Sequence, residues 1–195
     1  KSGKPFNFAD AVSALPLGFR RIVDNEEIEI GNRIWKVRVG NGHAPEHATL
    51  WSNVDDIVIA GDQIISSISP NLGVYATEPN ANPVKEWINT CHKLSAFASD
   101  KHLTLPGHKL PFTGLKFRLK QMVENHELAL NRLVNFLEKP HTAEECFSIL
   151  FGKSIQKSEY GLALVEAVAH VNYLYLEGTV SRVLDKNGAF RYQAL

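Results

Sequence analysis

The sequence predicts a mixed α/β (α+β) chain, rich in short strands up to about residue 113 and helical after it. Three observations predict this. Short apolar runs punctuated by Gly, Asn and Asp fill the region from Glu27 to Ala60. Apolar residues three or four apart fill Leu115 to Leu137. A helical stretch near the end is followed by two alternating runs around Asn187-Gly188. The expected division is therefore 1–113 and 114–195.

Each element has its own signal. Ile28 to Ile30 and Arg33 to Val39 read as strands joined by Gly31-Asn32, a pair suited to a hairpin turn, and Ala48 to Trp51 is a third strand. Asp56-Ile-Val-Ile-Ala-Gly-Asp62 is an apolar strand, Ile57 to Ala60, that stops at a glycine and an acid, so Asp62 falls at a strand end. Ser66 to Pro83 is long for a connector, as loops lining substrate clefts often are. Pro83 to Phe97 has helical spacing through Val84, Trp87, Ile88, Cys91 and Leu94, and Leu103 to Leu105 is a short strand before Pro106-Gly107-His108. Pro140 ends the long helix, and Thr142 with Glu145 forms a capping-box signature for a helix running to about Phe151. Tyr160 to Leu176 is a third helix, closed by Gly178. Val180 to Leu184 and Phe190 to Tyr192 then read as a hairpin with an Asn-Gly turn. Three helices followed by a hairpin is the order of a winged helix. Trp35, Trp51 and Trp87 read as core.

Composition narrows the function classes. Lys plus Arg equals Asp plus Glu, so no global field draws the protein to nucleic acid or an anionic membrane. Cys91 and Cys146 lie far apart and outside any Cys-x-x-Cys spacing, against a disulfide framework or a thiolate zinc site and for a reducing cytoplasm. No apolar run approaches the length of a membrane span, and Lys1 to Asp10 lack the apolar core of a signal peptide. The chain begins at Lys1 rather than Met, which reads as a piece or processed product of something longer.

Three motifs end at potential metal ligands: Gly42-His43-Ala-Pro-Glu-His47, Ala60-Gly61-Asp62 and Leu105-Pro106-Gly107-His108. Each follows a predicted strand, where a scaffold can hold a ligand while a loop leaves it open. Imidazole and carboxylate suit zinc, iron or manganese at a hydrolytic site.

In order and type, these motifs resemble the metallo-β-lactamase superfamily, in a bacterial branch with a winged-helix tail. The runs Gly61-Asp-Gln-Ile-Ile, Ile68-Ser-Pro-Asn71 and Leu105-Pro-Gly-His-Lys-Leu-Pro-Phe112 carry the likeness further. The resemblance implies that residues 1–113 form the C-terminal half of an αββα sandwich and 114–195 the tail. It implies that His43 ligates one metal, Asp62 bridges two and His108 ligates the second, with His47 supporting the loop. The implied cofactor is zinc, or else iron or manganese. The implied activity is attack by a metal-bound hydroxide on an ester, thioester, lactone or phosphodiester. The superfamily's His-x-His-x-Asp-His element is absent from these residues. One metal or none is therefore expected on this chain against two in the complete site, and no catalytic acid or base is assigned within it.

The remaining histidines carry less. His92, His102 and His141 read as surface residues, and His170 on an apolar helix as a satisfied buried one. His126 is a candidate for orienting a ligand if its helix passes the His108 loop, although plain packing or solvent exposure is favoured. A nucleic-acid-binding module is the rival class, but Gly161 to Leu176 contains no Lys or Arg; only the wing, with Arg182, Lys186 and Arg191, is basic. The expected partners are therefore a small-molecule substrate and a second copy of the chain, through apolar sheet surface. Neither membrane nor nucleic acid is expected. A non-catalytic binding or dimerisation protein is the remaining alternative.

Overall fold

The computed structural model of the protein describes residues 12–14 and 16–195; the Lys1 to Asp10 stretch considered above lies outside the described residues. Strands β1 (Glu27–Ile30), β2 (Arg33–Gly40), β3 (His47–Ser52), β4 (Ile57–Gly61) and β5 (Leu103–Pro106) form one sheet in sequence order. The β1–β2, β2–β3 and β3–β4 pairs are antiparallel, and β4–β5 is parallel. The parallel pair needs a crossover, which contains helix α1 (Pro83–Ser95). The Asn82 side chain caps α1 through the Lys85 amide, and Pro83 occupies its first turn, where a missing N–H costs nothing. Gly31 and Asn32 both have positive φ, so the first hairpin has the tight turn its residues suggest.

Two reversals of direction separate β2 from β4, so β2, β4 and β5 all run the same way. Their C-terminal ends lie on one edge of the sheet. His43, Asp62 and His108 each follow one of those ends.

The sheet is apolar on both faces. Trp51, Val58 and Ala60 join Val84, Trp87, Cys91 and Leu94 of α1 in the main core. Register and alternation put Trp35, Val37, Leu50, Ile57, Ile59, Leu103 and Leu105 on the other face. There Trp35 and Val37 are buried, whereas Ile59 and Leu103 are 38% and 40% exposed.

Beyond Gly114 come α2 (Leu115–Phe136), a 3₁₀ turn (Glu144–Cys146), α3 (Phe147–Phe151), α4 (Tyr160–Leu176) and the hairpin β6 (Val180–Leu184) with β7 (Phe190–Ala194). The capping box forms as read: the Thr142 amide donates to Glu145 Oε2 at 2.7 Å and the Glu145 amide to Thr142 Oγ1 at 3.4 Å. The helix it opens is brief. The second hairpin differs from expectation. Asp185 and Ala189 close it, around Lys186-Asn187-Gly188, with Gly188 at φ +81°. This is a three-residue turn with glycine in the left-handed position, not a two-residue Asn-Gly turn. One hydrophobic cluster runs from Trp51 and Val58 through Leu119 and Met122 to Leu174, Val180 and Tyr192, so the residues after 114 share their core with the sheet.

The connector after β4 is docked rather than loose. Arg118 of α2, on the buried stripe beside Leu115, Leu119 and Met122, donates from Nε to the Ile65 carbonyl at 2.8 Å and from Nη2 to the Ile68 carbonyl at 2.9 Å. The Val74 amide bonds the Val165 carbonyl, and Asn172 Nδ2 the Pro79 carbonyl. A buried guanidinium needs its donors filled, and loop carbonyls fill them. Among the described residues no helix is long and apolar enough to cross a membrane.

Candidate metal centre

Asp62 is the meeting point. Its Oδ1 lies 2.6 Å from His108 Nδ1 and its Oδ2 3.7 Å from His43 Nε2. The structure thus brings together the three residues picked out as ligands, from loops 19 and 46 residues away along the chain from Asp62. Asp62 and His43 are about a quarter exposed, and His108 is 68% exposed.

Each of the three follows a glycine, and the structure gives the physical reason. Gly42 has φ +103°, and a Cβ there would collide with Trp87 of α1. Gly61 has φ +51°, and its Cβ would stand 2.7 Å from His47 Cε1. A Cβ on Gly107 would stand 2.6 Å from Asp62 Oδ1. Bare backbone is needed at each of these approaches. Gly107 N also donates to the Gly61 carbonyl at 2.8 Å, tying the ends of β4 and β5 together.

His43 is held from behind. Its Nδ1 lies 2.9 Å from the Asn71 carbonyl, which can only accept, so Nδ1 carries a proton and Nε2 is the nitrogen turned toward Asp62. In the tautomer with Nδ1–H alone, Nε2 and Asp62 Oδ2 are two acceptors 3.7 Å apart, a gap suited to a cation. Two donors each ~2.0–2.1 Å from one zinc at a tetrahedral angle lie about 3.3 Å apart. The His108–Asp62 contact is shorter than that and is a direct hydrogen bond from Nδ1–H. Among the described residues no group of three or more His, Cys, Asp or Glu is arranged to hold a metal ion. The donor chemistry therefore fits a divalent metal at the His43–Asp62 side, while His108 would have to exchange its hydrogen bond for ligation.

His47 opens β3, opposite Gly40, with its ring centroid 6.0 Å from that of His43. Burial and then the neighbouring His43 hold its pKa below the usual imidazole value, and its buried Nδ1 has no hydrogen-bond partner among the described residues. Gln63, fully buried, joins the loops: Nε2 donates to the Asn41 carbonyl at 3.2 Å, and Trp87 Nε1 donates to the Gln63 carbonyl at 3.2 Å.

His126 packs in the core, the reading favoured for it. It is on the buried stripe of α2, with its ring 4.6 Å from Trp87 and 5.7 Å from His170. Among the described residues none of its hydrogen bonds or ring contacts is to His108, Asp62 or His43. Packing explains it: Nδ1 is satisfied by the Met122 carbonyl one turn back. His170 is buried, with Nδ1 on the Glu166 carbonyl, and burial and His126 push its pKa down to about 4. His92 is exposed as read; His102 and His141 are half-buried instead, edge-on to Trp51 and stacked on Phe136. His102 Nδ1 accepts from the Ser99 amide at 2.9 Å, and His141 Nδ1 lies 3.6 Å from Glu145 Oε2.

Sequence reasoning assigns no role to Gln63, Asn71, Arg118 or Glu166. Arg118 leaves a legible signal, a cation at helical spacing on an apolar stripe. The others act across 22 to 95 residues of chain, and nothing local marks them.

Comparisons with known proteins bear on the fold and the family. The family model described as the metallo-beta-lactamase-like C-terminal domain matches residues 130–195. A beta-lactamase domain protein from Burkholderia ambifaria, of known crystal structure, is 34% identical with a TM-score of 0.90, over 96% of this chain and 56% of that one. A metallo-beta-lactamase family protein from Thermus thermophilus is 27% identical with a TM-score of 0.77, over 93% of this chain and 55% of that one. The probable metallo-hydrolase YqjP of Bacillus subtilis (strain 168) is 23% identical over 162 residues, 80% of this chain and 49% of that protein. The chain thus spans about half the length of the relatives it matches. With the ordered Gly-His, Gly-Asp and Pro-Gly-His motifs at one sheet edge, these likenesses establish that the chain belongs to the metallo-β-lactamase superfamily, whose members are generally metal-dependent hydrolases.

Proposed function

We propose that the protein carrying this chain hydrolyses an ester, thioester, lactone or phosphodiester at a divalent-metal centre to which His43, Asp62 and His108 contribute. The observation that carries this reading is the Asp62 carboxylate, one oxygen toward each imidazole, at the edge where three like-directed strands end. Ligands outside the carboxyl ends of strands are the rule in open α/β sheets. When bound, the metal would lower the pKa of a coordinated water toward neutrality and polarise the scissile group.

The chain's own residues hold and orient. Asp62 would bridge, His43 would be presented through Nε2 by the Asn71 carbonyl, and His47 would brace the Gly61 turn. Three donors fall short of a dinuclear site, and the remaining ligands and the acid beside the attacking water are assigned to a His-x-His-x-Asp-His element outside these residues. Zinc suits the mixed His and carboxylate donors best, with iron and manganese next. A reducing, cytoplasmic setting suits Cys91 and Cys146, both buried and free, with burial pushing each thiol pKa up. Residues 114–195 are read as a winged-helix-like unit that packs on the sheet domain and shapes the entrance to the site.

Full-length protein assayed against those four substrate classes with zinc, manganese or iron tests the reading. Rates that survive Asp62→Ala and His108→Ala would remove it. A second reading, a dimerising module without activity, draws support from the exposed apolar residues Ile59 and Leu103 on the outer sheet face. Full-length protein inert with every metal and substrate would favour it.

A further inference from the structure

We propose that Glu166 of α4 is a positioning residue for the His43 imidazole, acting through Asn71. Glu166 is the one Asp, Glu, Lys or Arg in a helix otherwise built mainly of apolar side chains. Among the described residues Glu166 has no cationic partner; its Oε2 instead accepts from Asn71 Nδ2 at 2.7 Å. The same Nδ2 also lies 3.4 Å from the Leu162 carbonyl, one turn earlier in α4. Asn71 is therefore clamped to the helix by its side chain, while its main-chain carbonyl takes the His43 Nδ1–H at 2.9 Å. The bond between Val74 N and the Val165 carbonyl pins the same loop three residues on. This linkage joins residues 28 and 95 positions apart along the chain.

A carboxyl group in an apolar helix is costly to keep unless it has a hydrogen-bonding task. Burial raises the Glu166 pKa to about 7, and the Asn71 bond works against that rise. Either protonation state retains an oxygen that accepts from the amide. The consequence at His43 is a fixed tautomer and ring orientation. Carbonyl and carboxylate partners behind metal-binding histidines set ligand basicity, and their loss typically costs about 10–100-fold in metal affinity. The helical tail thereby takes part in the centre while contributing no ligand to it.

The inference rests on the reading of His43 as a ligand for its metal consequence, but not for the positioning itself. Two readouts separate them in the full-length protein. Long-range ¹H–¹⁵N spectra of the metal-free protein, assigned with His43→Gln, report the His43 tautomer. Zinc or cobalt titration reports affinity. Wild type is expected to hold the Nδ1–H form, Glu166→Gln to keep it, and Glu166→Ala to lose it together with roughly tenfold in metal affinity. Asn71→Ala removes the clamp without touching α4 and should reproduce the loss, which covers the case of a Glu166→Ala protein that does not fold. An unchanged tautomer in Asn71→Ala and Glu166→Ala overturns the inference, as does a Glu166→Gln protein that behaves like Glu166→Ala. A tautomer change in a protein that binds no metal would retain the positioning role and remove the metal reading.

Discussion

Asp62 and His108 are 46 residues apart in the chain, yet Asp62 Oδ1 and His108 Nδ1 lie 2.6 Å apart because β4 and β5 are parallel neighbours paired through Gly61 and Pro106. Substitution of either residue should act on metal binding before it acts on the fold, since both side chains reach solvent. Asp62→Ala is expected to weaken zinc or cobalt binding by more than the ~10–100-fold that loss of a supporting hydrogen bond costs. His108→Ala should weaken it as well, with the melting temperature nearly unchanged. Calorimetric titration of both variants checks this, and wild-type affinity in both would refute the ligand assignment.

The glycines before the ligands should be intolerant for steric reasons. Gly61→Ala places a Cβ against the His47 ring at a backbone with φ +51°. A cost of about 2 kcal/mol is expected, or a fall in Tm of roughly 4–8 °C. Gly161→Ala, early in α4 with nothing within 4 Å of the added carbon, should instead stabilise by about 0.5 kcal/mol. Thermal melts of the two variants should therefore move in opposite directions.

Buried His126 and His170 and half-buried Glu166 set a pH dependence of definite sign. Glu166 has its folded pKa raised to about 7 from an ordinary 4.5, so the folded state holds the extra proton between those values. Its contribution to stability is complete below about pH 4.5 and is lost as pH rises through 7. His170, lowered to about 4 from 6.5, contributes in the opposite sense, with stability gained as pH rises from 4 to 6.5. His126 is shifted downward too and adds to that rise. Denaturant titration of wild type against Glu166→Gln isolates the carboxyl contribution. Wild type should lose up to ~3 kcal/mol relative to the variant between about pH 4.5 and 8, less where water reaches the carboxyl. A constant difference across that range would contradict the burial of this group.

Association is the expected fate of the outer sheet face when these 195 residues stand alone. Burial of apolar surface gives about 25 cal/mol per Å², and a two-fold dimer is the commonest way to hide such a patch. Sedimentation should show a dimer or higher species, shifted toward monomer by Ile59→Lys or Leu103→Lys. A monomer at micromolar concentration would refute this.

Weak, salt-insensitive interaction with nucleic acid is expected of the tail. Helix α4 offers no Lys or Arg, and two of the wing cations are engaged: Arg191 with Asp185 and Glu145, and Arg182 over Tyr175 and Phe190. Binding to duplex DNA or RNA that falls steeply with salt would contradict this, because phosphate contacts release counterions.

Much of the fold was legible in the residues. Period-two and period-3.6 patterns, Gly31-Asn32, Pro83 and the Thr142–Glu145 pair are local signals, and each element they mark is present. The closure of the second hairpin departs from its dipeptide signal because Asp185 takes the amides of Asn187 and Ala189, a side-chain bond that a dipeptide rule does not contain.

The sequence by itself determined the types and order of the candidate donors, His43, Asp62 and His108, and the glycine before each, because those are properties of short segments. Only the tertiary structure decided that strand directions place all three at one sheet edge, and that the aromatic partner of His126 is Trp87. Only it shows that the Asn71 carbonyl stands behind the His43 imidazole and that Glu166 holds the Asn71 side chain. Those relationships depend on which strands pair and in what register, and on which helix face meets the sheet. These are long-range choices governed by burial of the whole core, and no window of a few residues encodes them.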